Sequence, residues 1–314
     1  MDYTPTALRC RIRGMCSSGA DYRTDVPPLE KTAPTAQPQH PCRRLEVYAP
    51  DLLGFGASDK PVLPGGYSIE LWAELLADFT AEFVGPDSAP QGAVLVGNSI
   101  GSLVCLTAAA AVPAGRVAGL CFLNSAAAMN NKGVVSDWRI VLALPIFWLI
   151  DLLLSIRPVA QALFGNVRDR EVLAKVLQSI YGNKEAVDDD LVSIIAAPSY
   201  DAGALDVFVS VITGPPGPKP WDLLPKVTAP IFIAWGDSDP FTPLDGPVGQ
   251  FFEGLPASRP DTTFSLLQGV GHCPQDDRPE LLHEKLLPWL TQVFGGQQQP
   301  GAGVPVAGAS VADG

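Results

Sequence analysis

A chain of 314 residues, 47% of them hydrophobic, holds enough apolar material for one large α/β domain or two smaller ones and is not disordered as a whole. Its net charge of −12 comes with no basic cluster, which argues against nucleic acid as a partner. The six cysteines form no C-x-x-C pair and there is no H-E-x-x-H, so no metal motif is present; Cys105 and Cys121 sit inside apolar runs, as buried reduced thiols do.

The opening stretch MDYTPTALRCRIRGMCSSGADYR lacks the continuous apolar core of a secretory signal. Its Arg, Ser, Ala and Thr content is that of an organelle transit peptide, and Asp2 and Asp21 count against that reading. Residues 24–44 are rich in Pro, Thr and Gln without periodicity and read as a linker, so residues 1–44 form an atypical, disordered N-terminal segment. LEVYAPDL reads as a strand ending at Pro50. SIELWAELLADFTAEFV is a helix that Ser68 can cap, with Leu71, Leu75, Leu76 and Phe79 at helical spacing. GAVLVGN is a short apolar run suited to a strand buried on both faces of a parallel sheet; IGSLVCLTAAAA follows as a helix and VAGLCFLNSA as another buried strand. APIFIAWGD and TTFSLLQG repeat the strand pattern, and PELLHEKLLPWLTQVF closes the ordered part as an amphipathic helix. Alternating strands and helices predict an α/β fold with a mostly parallel sheet, its core at 45–125 and 228–294. Residues 126–227 break the alternation with helical patterns and are most simply a cap over the carboxyl edge of that sheet. The tail, 295–314, is low-complexity and reads as disordered.

Chemistry enters at Gly97-Asn98-Ser99-Ile100-Gly101, a G-x-S-x-G between a strand and a helix. A sharp turn there lifts the serine hydroxyl above the sheet, small residues on either side keep the turn from clashing, and the Ile100 amide at the helix N-terminus can stabilise an oxyanion. The competing reading is a tight-turn serine that merely caps the helix. A serine nucleophile needs a base, and the chain has three histidines. His40 lies in the Pro-rich linker and His283 within the last helix; His272 lies in a loop just after a strand, where side chains reach the catalytic edge. Between serine and histidine, IFIAWGDSDPFTPLDG offers Asp237 and Asp239. The G-x-x-D-x-x-x-P spacing from Gly236 to Pro243 favours Asp239 as the acid that orients His272, leaving Asp237 as a turn residue.

With DLLGFGASDKP (51–61), VGNSIG (96–101), YGNKEAVDDDLVSII (181–195), ALDVFVSVITGPPGPKP (204–220), WGDSDPFTPLDGPVG (235–249) and GVGHCPQDDRPELLHEKLLPWL (269–290), the chain from about Leu45 to Phe294 resembles the α/β-hydrolase superfamily. Within it the chain is most similar to the chloroplast chlorophyll dephytylase and pheophytinase group. The resemblance implies the α/β-hydrolase fold with a helical cap, and a triad carried over to Ser99, Asp239 and His272 without any cofactor or metal. It implies hydrolysis of the phytyl ester of chlorophyll or a derivative, in a chloroplast, thylakoid-associated setting. Dehalogenases and epoxide hydrolases of this fold place an aspartate where this chain has Ser99, so the serine points to ester hydrolysis or acyl transfer. Ser102 stands where relatives often have a second glycine.

The resemblance also implies an upstream segment that this chain lacks: N-terminal strands, one of them central in the sheet, and the loop that supplies the second oxyanion donor. ALRCRIRG is the nearest substitute, and its alternating arginines are wrong for a central parallel strand. One missing oxyanion donor costs about 10²–10³ in rate. A buried strand carries on the order of 10 kcal/mol, comparable with a total stability of about 5–15 kcal/mol. The expectation is that the first 44 residues are an alternative or mispredicted start and that the complete protein has the missing strand. The substrate side is apolar: Ile140 to Leu154, IVLALPIFWLIDLLL, is shorter than a membrane span and interrupted by Pro145 and Asp151. It reads as a buried cap helix or as a lid that lines a pocket for an alkyl chain or makes peripheral contact with a membrane. A plastid lipase or carboxylesterase, and a non-catalytic tetrapyrrole-binding or truncated form, are the alternative functions.

Overall fold

The computed structural model describes residues 10–11, 46–84, 89, 91–130, 132 and 138–295. The readings of linker, transit peptide, His40, upstream loop and C-terminal tail fall outside those residues, apart from Cys10–Arg11 and Gly295. In chain order the elements are β1 (Cys10–Arg11), β2 (Ala49–Pro50), α1 (Ile69–Phe83), β3 (Ala93–Asn98), α2 (Ile100–Ala111) and β4 (Val117–Leu123). They continue with α3 (Trp138–Ser155), α4 (Arg157–Val167), α5 (Arg170–Ile180), α6 (Asp189–Ala196), α7 (Ala204–Thr213) and α8 (Pro220–Leu223). The chain returns through β5 (Ile231–Gly236), α9 (Pro247–Ser258), β6 (Thr262–Leu267), α10 (Pro274–Asp277) and α11 (Pro279–Gly295).

Strands β3, β4, β5 and β6 pair in that order, all parallel. The central strands β4 and β5 are buried on both faces, the outer strands β3 and β6 are partly exposed, and alternation sorts each residue to a layer. Leu120, Phe122, Ile231, Ile233 and Trp235 face Trp72, Leu103 and Phe252 on one side. Cys121, Leu123, Phe232, Ala234 and Leu267 face Leu282, Leu286 and Trp289 of α11 on the other. Gly119 admits that helix: a Cβ there would lie 2.7 Å from the Trp289 ring. Cys105 and Cys121 are buried in these layers, and burial pushes the Cys105 thiol up to about 12, so it stays protonated.

Helix α1 starts at Ser68, whose hydroxyl accepts the Leu71 N–H at 3.2 Å. Its fully buried contacts are Ile69, Trp72, Ala73 and Phe79, while Leu71, Leu75 and Leu76 pack only partly against the core. The reading of a strand that runs from Leu45 and ends at Pro50 is corrected in its length. Among the described residues of that stretch only Ala49–Pro50 is in β conformation, paired antiparallel with Cys10–Arg11 and outside the four-stranded sheet. Val47 is exposed. An alternating pattern becomes a strand only where a neighbour completes its backbone hydrogen bonds, and among the described residues this stretch has the two-residue β1 alone.

Helices α3 to α7 lie between β4 and β5 and meet the loops at the sheet's carboxyl edge. Lys60, buried in the DLLGFGASDKP loop, reaches Asp201 at 2.9 Å and the Gly56 carbonyl at 2.8 Å. The Tyr67 N–H donates to Ser210 Oγ at 2.6 Å, and the Met129 N–H to the Pro216 carbonyl at 2.8 Å. No single helix among the described residues is long and apolar enough to cross a membrane; Leu144–Ser155 and Arg157–Val167 reach that length only together, and they bend by 105° where they meet.

Candidate active site

Four polar residues stand just beyond the carboxyl ends of four adjacent parallel strands: Ser99 after β3, Asn124 after β4, Asp239 after β5 and His272 after β6. In open α/β sheets this edge is where ligands bind.

Ser99 occupies the turn from β3 into α2 with φ 53° and ψ −121°, a conformation that costs a side-chain-bearing residue about 1–3 kcal/mol. The turn is held by its neighbours. The Ser99 N–H donates to the Leu123 carbonyl at 2.9 Å, and the Ser99 carbonyl accepts from Ser102 at 3.0 Å and from Ala126 at 3.1 Å. Gly97 is required by packing, because a Cβ there would lie 2.3 Å from the Gly101 carbonyl carbon. Ser102, in place of a second glycine, is fully buried and donates to the Gly97 carbonyl at 2.6 Å, so the departure from the resemblance adds a tie across the elbow. Ile100 is the first residue of α2, and its amide belongs to the turn of N–H groups that a helix leaves without internal acceptors.

The imidazole of His272 pairs with Asp239: Nδ1 and Oδ2 are 2.7 Å apart, with both side chains buried. Asp239 Oδ2 also accepts from Asn124 Nδ2 at 2.7 Å and Thr242 Oγ1 at 2.6 Å, and its Oδ1 accepts the Phe241 N–H at 2.7 Å. Burial alone would raise the Asp239 carboxyl. The hydrogen bond and charge of His272, with the Thr242 and Phe241 donors, more than offset it, so the carboxyl is held below its ordinary value. Asp237 accepts from the Gly269 N–H at 2.8 Å, a tie between the β5 and β6 loops, and from its neighbour Ser238 Oγ at 2.9 Å. His283 lies within α11, away from this edge. Phe241, itself largely exposed, sets its ring against the imidazole with centroids 5.1 Å apart.

Two further residues belong to this constellation. Asn98, in the elbow, donates to the Leu123 carbonyl at 2.9 Å and to the His272 carbonyl at 2.8 Å, which joins the serine's turn to the histidine's loop. Asn124 is fully buried with φ 41°, and besides holding Asp239 it accepts the Gly236 N–H at 3.0 Å. Among the described residues, Ser99 and Asn124 are the two non-glycine positions with positive φ. The local signal for Asn124 is an amide ending the apolar run VAGLCFL. The cleft lined by Thr80, Leu95, Ala108, Val112 and Val117 lies toward the C-terminal end of α2 and the start of β4, away from this site.

A mostly parallel sheet with a strained serine elbow and an Asp–His pair at its carboxyl edge is the architecture of an α/β hydrolase. Residues 13–285 match the alpha/beta hydrolase family, and the chain belongs to it. Pheophytinase from Arabidopsis thaliana chloroplasts is 23% identical over 250 residues, covering 77% of this chain and 49% of that protein, so the chain spans about half the length of that relative. An uncharacterized hydrolase, YugF, from Bacillus subtilis is 23% identical over 281 residues, covering 89% of this chain and 88% of that one. Among solved structures, a thermophilic esterase from Thermogutta terrifontis superposes with a TM-score of 0.55 at 21% identity, over 78% of this chain and 79% of its own. The epoxide hydrolase CorEH does so with a TM-score of 0.58 at 14% identity, over 78% and 82%. At these identities the structures share the fold.

Proposed function

We propose that this protein is a serine ester hydrolase that removes the phytyl chain from chlorophyll or a related tetrapyrrole. The observation that carries the ester-hydrolase reading is the buried 2.7 Å pairing of His272 Nδ1 with Asp239 at the same sheet edge as the strained Ser99. With Nδ1–H held by Asp239, His272 presents Nε2 as the base. Ser99 Oγ attacks the ester carbonyl carbon while its proton passes to Nε2, and the carbonyl oxygen takes up negative charge beside the Ile100 amide. The tetrahedral intermediate collapses, the bond to the alcohol oxygen breaks, and His272 returns the proton to the leaving alkoxide. Water then attacks the acyl-Ser99, giving its proton to His272. The bond from the acyl carbon to Ser99 Oγ breaks, His272 passes that proton to Oγ, and the carboxylic acid leaves with the serine restored. Asp239 stays ionised throughout and offsets the charge of the transient imidazolium.

The phytyl half rests on the similarity to chloroplast pheophytinase, and it carries a chloroplast setting with it. Its test is turnover of chlorophyll, pheophytin and a galactolipid by the full chain in detergent. Phytol release from a tetrapyrrole, with no fatty acid from the galactolipid, is expected. The opposite preference would make the protein a plastid lipase. No turnover of any ester, together with no labelling of Ser99 by a fluorophosphonate, would leave the tetrapyrrole-binding reading.

The same proposal places the protein on a lipid surface through α3 and α4. Leu142, Ile146, Trp148, Leu149 and Leu152 of α3 are exposed, Trp148 to 70%, and Ile156, Leu163 and Val167 continue the patch. The one charge in residues 142–156, Asp151, is held by Lys132 Nζ at 2.9 Å. The α3 part of this face carries no unpaired charge, and Arg157 at the start of α4 pairs with Asp206; with its exposed tryptophan the face suits an electroneutral bilayer, where the ring sits at the headgroup level. The chain is expected to float with galactolipid or phosphatidylcholine vesicles, with little dependence on salt, and Trp148→Glu with Leu152→Glu should release most of it. Unbound wild type that elutes as a dimer would instead give this face to a second copy.

A further inference from the structure

The loop that carries His272 is gripped from two sides. On the core side Asn98 holds the His272 carbonyl, as described above. On the other side lies the segment that ends α5. The His272 N–H donates to the Ile180 carbonyl at 2.8 Å. Asp277, 1% exposed, places its carboxylate among three backbone N–H groups: Gly271 at 2.5 Å and Gly182 at 2.7 Å on Oδ2, and Asn183 at 2.6 Å on Oδ1. One carboxylate therefore binds the residue before His272 and two residues of the cap. Tyr181 adds a bond from its hydroxyl to Asp276 at 2.5 Å. The two backbones touch: a Cβ at Gly271 would lie 2.0 Å from the Ile180 carbonyl oxygen, and one at Gly182 would lie 2.1 Å from the Gly269 carbonyl oxygen. Cys273, just after His272, packs on the small core of Leu177, Ile180, Tyr181, Leu191 and Val192.

We propose that Asp277 is a positioning residue for His272, fastening the base's loop to the cap segment Ile180–Asn183 so that the cap, and not the sheet alone, sets where the imidazole stands. The chemistry favours this over a general stabilising role. A buried carboxylate that accepts three N–H bonds is among the strongest neutral-donor arrangements a protein offers, and here the bonds are shared between two segments of chain. The proposal rests on the serine-hydrolase reading, in which His272 is the base.

The experiment uses the full chain and p-nitrophenyl butyrate, a small soluble ester that needs no lipid surface. Asp277→Asn keeps the shape but turns an N–H donor toward backbone N–H groups. It is expected to lower kcat by roughly 10²-fold, as a misplacement of about 1 Å does, with KM changed less than about twofold. The acid limb of kcat/KM should move together with kcat, a readout that a loss of stability alone leaves in place. Gly182→Ala pushes on the loop from the cap without touching the carboxylate and should act in the same direction; it decides the matter if Asp277→Asn is recovered unfolded. Asp169→Ala removes the N-cap of α5, whose carboxylate accepts from Glu171 and Val172, and should lower Tm while leaving kcat and the acid limb unchanged. Folded Asp277→Asn and Gly182→Ala with kcat within about twofold of wild type and the same acid limb would overturn the proposal. A wild-type chain that neither turns over the ester nor labels at Ser99 would overturn the hydrolase reading itself, a separate outcome.

Discussion

Ser99→Ala is expected to lower ester turnover by about 10⁶-fold, the scale seen when a serine nucleophile of this kind is removed. It should abolish fluorophosphonate labelling and leave the protein folded. The Ser99 side chain makes no capping bond to α2, so removing its oxygen orphans nothing in the helix. Alanine also keeps the Cβ, so the strain of φ 53° remains and Tm should stay within a few degrees of wild type. Ser99→Gly separates the two properties. It relieves the positive φ and should raise stability by about 1 kcal/mol while being as inactive as the alanine variant. A serine kept in a costly conformation that adds nothing to the helix is what the proposed nucleophile role would account for. Labelling or turnover by Ser99→Ala near the wild-type rate would remove Ser99 from the mechanism.

Asp239→Asn is expected to lower kcat by about 10⁴-fold with little change in KM, because an amide in place of the carboxylate favours the wrong imidazole tautomer. The carboxyl also has a signature in stability. Its folded pKa lies below the ordinary value, so its contribution is present above the unfolded value of about 3.9 and is lost as pH falls through the folded one. Thermal melts of wild type should lose Tm steeply below about pH 4, and Asp239→Asn should lose less over the same interval. Asp237→Asn serves as the comparison: that carboxylate ties Gly269 and Ser238, so its loss should cost far less activity. A large loss from Asp237→Asn with a small one from Asp239→Asn would reverse the choice of acid.

The strands and helices of the core are legible in local pattern alone. Runs such as VAGLCFL and IFIAWG encode burial on both faces of a strand, and these patterns depend only on neighbours in the chain. The elbow was legible for the same reason, since Gly97, Ser99 and Gly101 constrain one another within a single turn. The order Ser99, Asp239, His272 narrowed the remaining partners through position after a strand. What the tertiary structure decided are pairings that bridge long stretches of chain. Asp239 meets His272 33 residues on, and Asn124 meets Asp239 across 115. Asn98 reaches the His272 carbonyl 174 residues away, and Asp277 reaches Gly182 across 95. No local periodicity records such contacts, because each side chain's partner is set by how strands stack and where loops end. The same reason explains LEVYAPDL, whose alternation is that of a strand but whose only ladder among the described residues is Cys10–Arg11. It also explains the first helix after β4: the composition of Ile140–Leu154 shows that the helix is apolar, and only the packing shows that Trp148 and Leu152 face outward while Asp151 is held by Lys132.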